Sequence, residues 1–96
     1  MSYNKVSVFR RINNAVKQDR FNNPTWPDHA VAQAGKVTAA SGKLTQAALD
    51  YKYNKTEIPE ECVDRMQEAA INTIVQAFRF LENLNKSEKK VKSGNN

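Results

Sequence analysis

Three features of the sequence predict an all-α fold. Two long stretches carry apolar or small residues at alternating three- and four-residue spacing, a shorter amphipathic stretch precedes them, and no segment alternates as a strand does. Only a few residues separate the long stretches, so they are expected to run antiparallel. The expected architecture is a short N-terminal helix plus two long antiparallel helices, assembling as a helical-bundle oligomer.

The first helix is predicted from about Asn4 to about Gln18. Val6, Phe9, Ile12 and Val16 follow helical spacing, and Val8 and Ala15 widen the stripe. Lys5, Arg10, Arg11, Lys17 and Arg20 make this segment basic: either a solvated face or a rim that attracts anions. The loop FNNPTWP follows, marked by two prolines and two asparagines. Trp26 in it either closes the end of the core or offers a face for a nucleobase.

The second helix is predicted over Asp28 to Asn54, with Asp28 as its capping residue. Its seam reads Ala30, Ala34, Val37, Ser41, Leu44, Ala48 and Tyr51. Gly42 in mid-helix costs roughly 1 kcal/mol relative to alanine, which points to tight helix contact or to a ligand against the backbone. The turn KTEIPEE leads to a third helix, from about Pro59 to Asn85. Pro59 suits an early position, and Glu60 and Glu61 complement the helix dipole. Its seam reads Val63, Met66, Ala70, Ile74, Ala77, Leu81 and Leu84. Ile71, Val75, Phe78 and Phe80 add apolar surface that three helices cannot easily cover. Burial between subunits is therefore expected.

Ninety-six residues make one domain, assigned to 1–85, with 86–96 as a lysine-rich tail expected to be disordered. That tail holds four lysines and one glutamate of a chain whose net charge is +5. The remainder is only mildly basic, and no specific nucleic-acid partner is expected. No apolar run approaches the roughly 20 residues of a membrane span, and MSYNKVSVFRR lacks an apolar signal region. A cytoplasmic protein without a membrane partner is the expectation. The single cysteine, Cys62, precludes an intrachain disulfide, and the single histidine, His29, argues against zinc.

The segments VTAASGKLTQAALDYKY and QEAAINTIVQAFRFLENL resemble the MazG-like family of all-α nucleoside triphosphate pyrophosphohydrolases, in particular its small phage-encoded branch. The likeness spans Trp26 to Leu84, about two-thirds of the chain, and rests mostly on SGKLTQAAL and RFLENL. Members carry E-E-x-x-E on one long helix and E-x-x-D on the next, and these carboxylates hold Mg²⁺ against the substrate phosphates. Here the first motif falls on Ala39, Ala40 and Lys43. In the second, Glu68 is retained and Ile71 replaces the aspartate. No metal site is expected.

The resemblance and the losses together imply a catalytically degenerate nucleotide-binding protein. It would bind or sequester a nucleotide or cyclic nucleotide signal without hydrolysis. For a phage-encoded chain, that suggests an anti-defence role in the host cell cytoplasm. The residues expected at the ligand are Lys43, Lys36, Arg10, Arg11, Arg79, Trp26 and Glu68. Lys43 either neutralises a phosphate or pairs with Glu68 across the helices. The alternative is a Mg²⁺-dependent nucleoside triphosphate pyrophosphohydrolase, and a further one is a protein-interaction module. Only the enzyme reading requires a cofactor, Mg²⁺. Glutamates at 39, 40 and 43 with aspartate at 71 are expected to restore its binding.

Overall fold

The computed structural model describes residues 5–54, 56 and 58–94, with side chains for 7–54, 56 and 58–84. The chain forms three helices, α1 (Lys5–Asn22), α2 (Ala30–Tyr53) and α3 (Pro59–Gly94), with no strand among the described residues. The all-helical expectation holds. No helix among the described residues is long and apolar enough to cross a membrane.

Local chemistry sets the helix ends. α1 runs on past Gln18 because nothing breaks it until Pro24, which disfavours helical geometry at Asn23. The Asn23 N–H still donates to the Asp19 carbonyl at 2.8 Å. The cap of α2 is His29 rather than Asp28: its backbone is extended, and its Nδ1 accepts from the Ala32 N–H at 3.4 Å. Past Tyr53, the Asn54 side chain accepts from the Thr56 N–H at 2.9 Å and its hydroxyl at 2.7 Å, turning the chain. Pro59 then opens α3, with Glu60 and Glu61 in its first turn. α3 continues to Gly94 instead of stopping at Asn85. No proline interrupts that stretch, and its lysines and glutamate are good helix formers.

α2 and α3 pack as an antiparallel hairpin, and among the described residues α1 packs on α3 and not on α2. The buried apolar residues are Val16, Ala40, Ala47, Cys62 and Val75, joined by the polar Gln33, Gln76 and Arg79. This corrects the expected register. On α2 the face toward α3 is Gln33, Ala40 and Ala47, while Ala30, Ala34, Ala48 and Tyr51 are exposed. On α3, Cys62, Val75 and Gln76 are buried, whereas Ile74 and Leu81 are exposed. Each seam read from the sequence lies partly turned out of the hairpin. The buried line includes glutamines that a hydropathy reading passes over.

Gln33 fits inside because its Nε2 donates to the Pro27 carbonyl at 2.9 Å, tying the loop before α2 to the hairpin. Gly42 is exposed, and a Cβ built there meets no atom within 4 Å. Tight contact within the chain therefore does not account for it. Gly42→Ala should stabilise the chain by about 1 kcal/mol in a thermal melt, through helix propensity alone.

Candidate functional site

Two short polar ladders face each other across the α2–α3 hairpin. Lys43, Gln46 and Asp50 share one side of α2, and Arg65, Glu68 and Asn72 repeat the same spacing on α3. Together they line an open cleft of about 450 Å³. Three members are engaged with one another. The Arg65 guanidinium lies 3.4 Å from Asp50, whose other oxygen accepts from Gln46 at 2.9 Å. Arg65 also approaches the Cys62 sulfur at 3.6 Å.

That ion pair fixes the antiparallel register and so locates the rest. With Asp50 opposite Arg65, Lys43 comes level with Asn72. Glu68 lies four residues earlier, roughly 6 Å along the axis. The cross-helix pair between Lys43 and Glu68, one of the two readings of Lys43, is not made. Among the described residues neither side chain has an ion-pair or hydrogen-bond partner, and both are exposed toward the cleft. Asn72 accepts from Gln76 at 3.2 Å through Oδ1, leaving its amide N–H groups for the cleft.

Glu68 and Asn72 also border a second groove, of about 260 Å³, between α1 and α3. Arg11 and Gln18 stand on its α1 side, and Ile71 on its floor. The structure therefore brings Lys43, Glu68 and Arg11 into one neighbourhood, with Glu68 on the ridge between two openings. Arg10 is exposed on α1 and lines neither opening.

The other expected residues gather elsewhere. Lys36 is two turns before Lys43 on α2, and its Nζ lies 4.9 Å from the Trp26 ring centre. The Arg79 guanidinium lies 4.6 Å from the same ring. Arg79 is buried and bonded to the Asp19 carboxylate at 2.8 Å and to the Asn23 carbonyl at 2.9 Å. Arg20 and Glu82 form an ion pair beside it. This cluster fastens the α1–α2 loop onto α3. Arg79 is engaged in the fold, and Trp26 is half-buried with two cations over its ring and borders a pocket of about 220 Å³ with Arg20, Arg79 and Glu82.

Two carboxylates, Asp50 and Glu68, line the cleft. Among the described residues no group of three or more His, Cys, Asp or Glu side chains could hold a metal ion. At the positions of the family motif, Ala40 is sealed in the helix interface and Ile71 faces the α1 side. Glu68 shares its cleft with two cations, and Asp50 is already neutralised by Arg65. What the cleft offers is anion binding by Lys43, hydrogen-bond donation by Asn72 and acceptance by Glu68.

Gln46, Asp50, Arg65 and Asn72 were not anticipated as cleft residues. The repeated spacing of the two ladders, K-x-x-Q-x-x-x-D and R-x-x-E-x-x-x-N, is the signal that could have found them. No family model, no curated protein and no solved structure matches the chain.

Proposed function

We propose that the chain binds a nucleotide or nucleotide-derived anion in the α2–α3 cleft and holds it without hydrolysis. The observation that carries this reading is Lys43, a cation with no partner among the described residues, beside an open cleft of about 450 Å³. Volumes of about 300–1,000 Å³ are usual for small-molecule sites, and the α1–α3 groove alone falls short of them. Lys43 would meet a phosphate, while Glu68 and the Asn72 amide would bind sugar hydroxyls or base edges. Arg11, beyond the ridge, would reach a second phosphate of a longer ligand. A cyclic nucleotide signal is one candidate of this class.

Isothermal titration in magnesium-free buffer against mononucleotides, triphosphates and cyclic oligonucleotides tests the reading. Lys43→Ala should weaken binding tenfold to a hundredfold, or about 1.5–3 kcal/mol, with little change in the melting temperature of the free chain. Unaltered affinity would remove Lys43 from the site. Absence of binding to every nucleotide would end the proposal. Pyrophosphate released from a triphosphate in the presence of Mg²⁺ would favour the enzyme alternative.

The chain is also proposed to work as a homo-oligomer. Large apolar side chains stand exposed on both long helices, among them Leu49 and Tyr51 of α2 and Ile74 and Leu81 of α3. Exposed apolar surface of this kind favours a partner.

A further inference from the structure

We infer that the pocket walled by Arg20, Trp26, Arg79 and Glu82 is a binding site for a phosphate group, separate from the α2–α3 cleft. It lies where the α1–α2 loop meets α1 and α3, and its volume is about 220 Å³. That falls below the usual range of about 300–1,000 Å³ for a whole small molecule and suits a single compact group.

The donors in this pocket outnumber their acceptors. Arg79 is 5% exposed, and burial obliges a guanidinium to find partners for its N–H groups. The fold draws on one nitrogen only. Nη1 donates to the Asp19 carboxylate at 2.8 Å and to the Asn23 carbonyl at 2.9 Å. Nη2 and Nε have no partner among the described residues. Clamping α1 to α3 thus leaves the other side of the guanidinium unused, on a side chain that lines the pocket. Trp26 repeats the pattern: its indole N–H is sealed from water and finds no acceptor among the described residues. A buried donor left open in this way calls for an acceptor from outside the chain. Arg20 adds to the set, since its hydrogen bond to Glu82 leaves from Nη2 alone.

Charge points the same way. Arg79 and Lys36 lie over the Trp26 ring, and Arg20 stands beside them. The carboxylates that answer these three cations are Asp19 and Glu82, so one positive charge is left over. Guanidinium forks match carboxylates and phosphates alike. Glu82 already offers Arg20 a carboxylate, however, and a second monoanion would bring nothing stronger. A phosphate carries up to about two negative charges and at least three acceptor oxygens. That is enough to engage Arg79, Arg20 and the Trp26 N–H together, with Glu82 as the internal competitor. A free phosphate ion and the phosphate end of a larger molecule present the same chemistry here.

The test uses the single tryptophan, whose indole N–H gives one cross-peak in a proton–nitrogen NMR spectrum. The full chain is titrated with inorganic phosphate and, in a second arm, with ribose 5-phosphate, at ionic strength held constant by sodium chloride. The indole peak should move downfield and saturate as its N–H gains an acceptor. Tighter saturation by inorganic phosphate identifies a site for the free ion, and tighter saturation by the ester a site for the end of a larger ligand. Glu82→Gln should tighten binding several-fold by removing the competitor, and Arg20→Gln should weaken it roughly tenfold. Glu60→Gln makes the same charge change on an exposed residue about 33 Å away along α3, and it should bind as wild type does. Lys43→Ala should leave both titrations unchanged. A saturating peak in that variant upholds the pocket even where no nucleotide binds the cleft, so the two sites stand or fall apart. An indole peak that stays in place, or drifts without saturating, would overturn the inference. Wild-type affinity in both Glu82→Gln and Arg20→Gln would overturn it as well. Both side chains are partly exposed, so neither change empties the core, and if one variant fails to fold the other decides alone.

Discussion

Arg79→Ala should lower stability by about 3 kcal/mol and the melting temperature by roughly 12–24 °C at fixed protein concentration. Arg79 is 5% exposed, in the middle of α3, and its guanidinium joins α1, the loop and the Trp26 ring. Removing it leaves the Asp19 carboxylate without its cation where the side chain is only 17% exposed. Breaking a buried pair costs about 3–5 kcal/mol, and residual solvent at Asp19 puts this case at the low end. The Asn23 carbonyl loses a donor as well. The double change Asp19→Ala with Arg79→Ala should recover part of the loss, since no charge is then left unpaired. A melting temperature within a few degrees of wild type would show that the cluster around Trp26 does not hold α1 to α3.

That cluster shows where the sequence was legible and where it was not. Helix number, the turns at Pro24 and Pro59 and the antiparallel hairpin all follow from local signals: proline, spacing and first-turn acids. Register does not. The buried line of the hairpin passes through Gln33 and Gln76, whose side-chain amide N–H groups find acceptors in the fold. Gln33 reaches the Pro27 carbonyl, and Gln76 reaches Asp19 at 3.4 Å and Asn72 at 3.2 Å. Hydropathy spacing instead marks the apolar stripe, whether a residue of the same chain covers it or not. Arg79 was read as a cation for a ligand for a similar reason. Its partner Asp19 lies on another helix, so nothing near it in the sequence announces the pair.

The cleft divides along the same line. Lys43 and Glu68 share it, as their types suggested, but they make no ion pair with each other. Polar side chains spaced alike on two antiparallel helices marked this cleft better than the list of cations did. Arg10 and Arg11, adjacent in sequence, separate by a third of a helical turn, and only Arg11 borders an opening.

Rebuilding the acidic motif should therefore fail at one position before any question of magnesium arises. Ala40→Glu should lower stability by about 4 kcal/mol or more, because Ala40 is 3% exposed in the interface of α2 with α3. The register brings it level with Val75, an apolar neighbour that can neither pair with a carboxylate nor hydrogen-bond to it. Desolvating an unpaired carboxylate costs several kcal/mol, and the added volume in a close-packed seam costs a further 1–3 kcal/mol unless the helices separate. Against a usual total of about 5–15 kcal/mol, much of the fold's stability would go. Ala39→Glu, one residue away on an exposed face, should stay within about 0.5 kcal/mol of wild type. The contrast can be read in urea unfolding of the two single variants. Magnesium titration of the combined variant with glutamates at 39, 40 and 43 and aspartate at 71 should then show no binding by a folded chain. Wild-type stability in Ala40→Glu would instead mean that position 40 opens onto the cleft. Carboxylates on that face would then be free to gather around a metal, and the enzyme alternative would regain its site.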